Sequence, residues 1–445
     1  MTQELPAPKT GNLLLTLNDQ AGITRVKLIP AAKRASIESG GASLSLTTAL
    51  LLGADDSIAD LERFPTAHGD VRLYPDVSAM RLFDARTGLV WAPADQRTPS
   101  GEPFSVCQRS LLEREVERMR SRGLEPVAAF EIEFAVYRLD AGEWVLHDDT
   151  AAYGISSLLG SRVWMEEVVE AFDAAGIPLE QIHPEYGRGQ YEVALGVRDP
   201  VAAVDDYVLA RMLISRVLEE HGLRASFSPK PELAATGNGC HIHLSATTAE
   251  GVNVFAGPEH ETGFSPEGGH WIGALVDELP QIIAVLASGP HSFARLQPGA
   301  FSGAVSCWGV ENREAAVRYI PGPAGRRNAG ANIEVKVPDC TSNPYLAVAA
   351  LLAVGSSGLE RATELPEPLT VVPAKASEAE LRAARAQGFP PSLSEALRRL
   401  DGNETLRAAL GDDAIDTFVG IRSLDLPSEA IEDAEELYLK YRWQQ

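Results

Sequence analysis

Along residues 12–30, apolar and polar side chains alternate on both sides of Asn18, Asp19, Gln20, Ala21 and Gly22. Period-two alternation around a turn whose residues tolerate positive φ predicts a β-hairpin. Short strand patterns continue at 71–74 and 87–91, so residues 1–100 predict a small β-rich domain with little helix. The pattern then changes. Leu111, Leu112, Val116 and Met119 recur at helical spacing, with Gly123 where a C-cap glycine belongs. Residues 126–137 (PVAAFEIEFAVY) predict a strand, and 164–175 a helix stopped at Gly176. Asp199 and Pro200 form an N-cap and first-turn pair for a long helix ending near Gly222. Another helix is predicted over 271–286, and Ser342, Asn343 and Pro344 open one more that is apolar almost all round and therefore buried. Strands and helices mix without a strict βαβ rhythm, which predicts an α+β fold. The change of pattern divides it into a small domain over 1–100 and a large one over 101–445. Residues 364–387, rich in Pro and Ala, read as a surface excursion.

Charge narrows the classes of function. The chain carries 39 basic and 62 acidic residues, a formal net charge of -23. That balance lacks the basic face from which a phosphate-backbone binder gains affinity, so no nucleic-acid partner is expected. A few local arginines or metal ions can still reverse the sign of one cleft. Cys107, Cys240, Cys307 and Cys340 lie far apart without a CxxC pair, which suggests neither a zinc knuckle nor a disulfide framework. The opening MTQELPAPKTG has no charged segment followed by an apolar run, and no apolar stretch reaches the ~20 residues of a bilayer span. A cytoplasmic, reduced enzyme without a membrane partner is the expectation.

The alternating strands carry residues that an ordinary core would reject. Glu131 and Glu133 stand two apart, so both project from one face of a strand otherwise built of Ala, Phe, Ile and Val. Two adjacent anions repel unless a cation lies between them. His241 and His243 repeat that geometry with imidazoles, after Gly237 and Gly239, which let backbone approach a ligand closely. Glu185 and Glu192 flank a glycine turn in HPEYGRGQYE (183–192), and Glu334 alternates with apolar neighbours in NIEVKV (332–337). Each motif alone also fits a plainer reading: an exposed strand face, a satisfied histidine pair, a polar loop, a solvated charge. Carboxylates with at most one imidazole per ion suit Mg²⁺ or Mn²⁺, and pairs of such ions clamp a transferring phosphoryl group. Arg295, Arg313 and Arg318 supply cations of the kind that stabilise a phosphate in flight.

Taken in order, these motifs resemble the glutamine synthetase family over nearly the whole chain. The resemblance implies a small N-terminal β-grasp domain and a large catalytic domain, an antiparallel sheet flanked by helices. It implies an ATP-dependent ligase in which a γ-carboxylate becomes an acyl phosphate and an amine displaces phosphate. Two or more Mg²⁺ or Mn²⁺ ions are implied, with Glu133, Glu185 and Glu192 as ligands of one and Glu131, His241 and Glu334 of another. His243, Ser245, Arg313 and Arg318 take ATP and phosphate roles. Arg295 contacts the amino-acid substrate, with Gly237 and Lys336 beside it. The family also implies a homo-oligomer of hexameric rings or a dodecamer.

The substrate side departs from the family pattern. The family's flap glutamate, needed by members that use ammonia, falls here on Phe301, and a phenyl ring is neither base nor ionic partner. The Asp-Gly-Ser-Ser loop of the small domain is absent, and the arginines flanking the last metal glutamate are Asn332 and Lys336. The pattern resembles the γ-glutamyl-amide ligase branch, with an organic amine (ethanolamine, alkylamine, polyamine or arylamine) as acceptor. The alternatives are an ammonia-using glutamine synthetase and, from another class, a non-catalytic structural or regulatory homologue.

Overall fold

The computed structural model describes residues 11–65, 69–256 and 263–444. Most of the N-terminal stretch read above for a leader (residues 1–10) lies outside them.

The first sheet is built from β1 (Leu13–Asn18), β2 (Thr24–Ile29), β3 (Ala42–Ser45), β4 (Asp70–Pro75), β5 (Arg81–Asp84) and β6 (Leu89–Arg97). The hairpin predicted from alternation is there: β1 and β2 pair antiparallel from Leu13 opposite Ile29 to Asn18 opposite Thr24. The sheet runs β2-β1-β6-β4-β3 with β5 on β6, and β1 meets β6 in parallel. Little helix is present apart from Arg34–Gly40. The hairpin turn is docked, not free. Asn343 Nδ2 donates to Asp19 O at 2.9 Å, and a Cβ on Gly22 would lie 2.6 Å from Thr341 O, so only glycine fits there.

The second sheet holds ten strands: β7 (Leu124–Asp140), β8 (Glu143–Leu146), β9 (Leu179–Pro184), β10 (Gln190–Leu195), β11 (Leu223–Ser226), β12 (Cys240–Thr248), β13 (Val305–Val310), β14 (Ala315–Ile320), β15 (Asn332–Val335) and β16 (Gln387–Gly388). Its order is β16-β13-β14-β15-β12-β7-β10-β9, mostly antiparallel as expected, with β13 and β14 running parallel. Phe130, Ile132 and Phe134 of β7 enter the core on one face, which leaves Glu131 and Glu133 on the other. Helices Gln108–Ser121, Pro200–Glu220 and Pro344–Arg361 pack behind the sheet and on one another. The predicted caps are present: Asp199 Oδ1 accepts from Val201 N at 3.0 Å, and Asn343 Oδ1 from Leu346 N at 3.1 Å.

Three expectations need correction. The helix ending at Ala175 begins at Ile155, and the one ending at Leu286 begins at Pro266, each well before its predicted start. The Pro/Ala-rich stretch is not a bare excursion: Leu369 and Ala384 are buried with Cys307 and Ala315 in a small second core. Its helix Glu378–Ala383 is closed by a capping box between Ser377 and Glu380.

Candidate active site

Register brings the sequence motifs onto one face of the second sheet. Glu131 lies opposite His241 between β7 and β12, and Glu133 opposite Glu192 between β7 and β10. His243 faces Glu334 on β15, which faces Arg318 on β14, while Glu192 faces His183 on β9. Directly opposed residues share a face. Six adjacent strands thus present four carboxylates, with Glu185 just past the end of β9, histidines among them and Arg318 at one side.

The side chains converge. His241 Nδ1 lies 3.1 Å from Glu131 and 3.3 Å from Glu334, and His243 Nε2 lies 3.3 Å from Glu131. Glu334, only 1% exposed, receives Lys336 Nζ at 2.8 Å and Arg318 at 3.1 Å. On the other side His183 Nε2 is 3.3 Å from Glu192, and Tyr153 Oη donates to Glu185 at 2.8 Å. Gly239 N donates to Glu133 at 2.6 Å, and a Cβ on Gly239 would stand 2.7 Å from His241 Nε2.

Three groups of ligand atoms, each within 4.8 Å, could hold an ion: Glu133 with Glu185 and Glu192, Glu131 with Glu192 and His241, and Glu131 with His243 and Glu334. The first is the trio expected from sequence. Around Glu131 the expected partners His241 and Glu334 are both in reach, with Glu192 and His243 as further neighbours. Carboxylates with one imidazole fit a hard divalent cation, and the buried Glu185 Oε2 has no hydrogen-bond partner.

The charges are strongly coupled. Burial opposes ionisation of Glu131, but the two histidines outweigh it and hold its carboxyl below the usual range. Burial likewise opposes ionisation of Glu334, while Lys336 and the histidines bring it down to about 2. At Glu185 burial dominates and, with Glu133 and Glu192 close by, raises the carboxyl. The hydrogen bond to Glu192 pushes His183 up to about 9. Burial disfavours the His243 cation, yet Glu131 and Glu334 lift it to about 9 as well.

Of the remaining predicted residues, Arg295 is buried and donates to Pro338 O at 3.1 Å and also to Val337 O. Gly237 is needed there, since a Cβ would meet Arg295 Cγ at 2.7 Å. Ser245 shares the face of His241 and His243, with its hydroxyl donated to Ala331 O at 2.9 Å. Arg318 also pairs with Glu311. Arg313 stands exposed in the turn between β13 and β14, without a salt bridge among the described residues. Phe301 is 60% exposed on the loop after Arg295. Sequence reasoning did not select Tyr153, His183 or Gln190 for the site. Gln190 Nε2 donates to Gly237 O and Asn238 Oδ1, both at 2.9 Å, joining the glycine loop to β10. His183 and Gln190 lie within the quoted 183–192 motif, a signal that was available; Tyr153 has none.

Residues 105–436 match the model of the glutamine synthetase catalytic domain. The chain belongs to the glutamine synthetase family. It is 37% identical to gamma-glutamylpolyamine synthetase GlnA3 of Streptomyces coelicolor, over 100% of this chain and 95% of that one. It is 28% identical to glutamate–methylamine ligase of Methyloversatilis universalis, over 93% and 92% of the two chains. A crystal structure described as a novel glutamine synthase homolog superposes with a TM-score of 0.86 at 30% identity, covering 99% of each chain. The chain is therefore an ATP-dependent acid–amine ligase of the glutamine synthetase type. No helix among the described residues is long and apolar enough to cross a membrane.

Proposed function

We propose that the enzyme activates the γ-carboxylate of glutamate and joins it to an organic amine, a polyamine or smaller alkylamine, in preference to ammonia. The observation that carries this reading is Phe301, an apolar, solvent-facing ring where ammonia-using members of the family carry a glutamate. A phenyl ring packs on methylene groups and meets an alkylammonium by cation–π contact, worth ~0.5–2 kcal/mol, and offers ammonium no carboxylate. The full-length relatedness to a polyamine synthetase, and that to a methylamine ligase, support it.

In this reading a γ-carboxylate oxygen attacks the γ-phosphorus of ATP and ADP leaves. The amine nitrogen then attacks the acyl carbon, phosphate departs with the electron pair of the C–O bond, and the nitrogen loses a proton. Glu133, Glu185 and Glu192 would hold one Mg²⁺ or Mn²⁺, and Glu131, Glu334 and the histidines His241 and His243 another. Such ions supply neutralisation of phosphate charge. Arg313, Arg318 and Ser245 serve the phosphates, and Arg295, Gly237 and Lys336 orient glutamate, with homo-oligomeric rings as the assembly. ADP release with glutamate and each of spermidine, putrescine, methylamine, ethanolamine, aniline and ammonium tests it. Organic amines are expected to give the higher kcat/KM; fastest turnover with ammonium overturns it.

A further inference from the structure

The loop 297–303 is fastened to the site at both ends. Before it, Arg295 donates to the carbonyls of Val337 and Pro338. At its far end Gly303, at φ +69°, is so close to the chain just past β15 that a Cβ would lie 3.1 Å from Lys336 Cβ. Its middle is held by a third residue, which directly follows Arg313. Glu314 Oε2 accepts from Gly299 N at 3.1 Å and Oε1 from Phe301 N at 2.9 Å.

Two features make this clamp more than a filler. Phe301 adopts φ +52°, a left-handed conformation that a side chain with a Cβ seldom takes and that persists only where the surroundings enforce it. Glu314 itself is 5% exposed and forms no salt bridge among the described residues. A buried anion without a cation must be compensated by hydrogen bonds. The Gly299 and Phe301 N–H groups supply that compensation, so loop and carboxylate hold each other. Glu314 also follows Arg313 directly, and Asn312 fixes the turn from the other side by donating to Leu369 O at 2.8 Å.

We infer that Glu314 is a positioning residue that holds the 297–303 loop and the Phe301 ring in place, and so decides whether amine or water takes the activated carboxylate. The inference rests on the ligase reading above. With the loop released, water adds to the acyl carbon and phosphate leaves with the electron pair of the C–O bond. Glutamate is regenerated, and the net change is hydrolysis of ATP.

The test compares wild type, Glu314→Ala and Glu314→Gln by counting ADP and γ-glutamyl amide in the same vessel, with KM measured for amine and for ATP. Wild type is expected to form close to one amide per ADP. Glu314→Ala should lose most of that coupling and raise the amine KM about tenfold, the scale of one charge-assisted hydrogen bond, with little change in the ATP KM. Glu314→Gln keeps the shape and one acceptor oxygen, so it should fall between, and it carries the test if the alanine variant does not fold. Unchanged coupling and amine KM in the folded variants overturn the inference alone. A wild type that forms no amide with any amine overturns the ligase reading, and the inference with it.

Discussion

Replacing Glu334 by glutamine neutralises the most enclosed carboxylate of the site. The wild-type group lies 2.8 Å from Lys336 Nζ and 3.1 Å from Arg318, and Lys336 is itself buried. Its pKa is brought from 4.5 to about 2, which corresponds to ~3 kcal/mol of preference for the anion in the folded state. Breaking one side of a buried pair costs ~3–5 kcal/mol, because the partner stays behind unpaired. The two routes agree in scale. For 445 residues, an unfolding entropy of ~2.1 cal/mol/K per residue converts this to a Tm lower by about 3–5 °C. Thermal unfolding in EDTA reads it. A second arm adds Mn²⁺ at about 100 times its Kd, worth ~2.7 kcal/mol per occupied site. Glu334→Gln should lose the increment of the ion held by Glu131 and Glu334 and keep that of the ion held by Glu133, Glu185 and Glu192. Adding Lys336→Met should restore part of the EDTA stability, since one stranded charge is then gone. A variant that melts with wild type in EDTA and keeps the whole Mn²⁺ shift refutes the electrostatic account of this site.

Burial raises Glu115 to about 7 from 4.5, so the folded protein retains a proton that the unfolded chain releases. Stability should therefore fall as pH rises from 4.5 to 7, by ~3 kcal/mol at most, and Glu115→Gln should flatten that slope in urea titrations. Gly237→Ala drives a methyl into Arg295 Cγ at 2.7 Å; steady-state kinetics should show kcat/KM for glutamate lower by ~10–100-fold. Phe301→Glu returns an anion to the loop, and the KM for ammonium should drop by about tenfold while that for methylamine does not.

Much of the site was legible because strand alternation is a local signal. Glu131 with Glu133, and His241 with His243, follow from period two alone, as Asp199 and Asn343 follow from cap chemistry. Which strands become neighbours is not local: nothing near residue 334 says that β15 lies between β12 and β14. The early start of the helix at Ile155 was available as an apolar stripe of Ile155, Leu159 and Val163 at helical spacing, but that stripe faces solvent and not the core. Proline and alanine in 364–387 carry no burial signal, although Leu369 and Ala384 seal a small core. Glu314 reads as one more charge after an arginine, and its role rests on a loop folded back onto it.

In the proposed reaction this family member makes γ-glutamyl amides of organic amines. The most direct measurement is a competition: enzyme, ATP, Mg²⁺ and glutamate with equimolar spermidine, methylamine and ammonium in one vessel, products resolved by mass spectrometry. A γ-glutamyl amide of an organic amine is expected as the main product, with glutamine as a trace. Glutamine as the main product would contradict it.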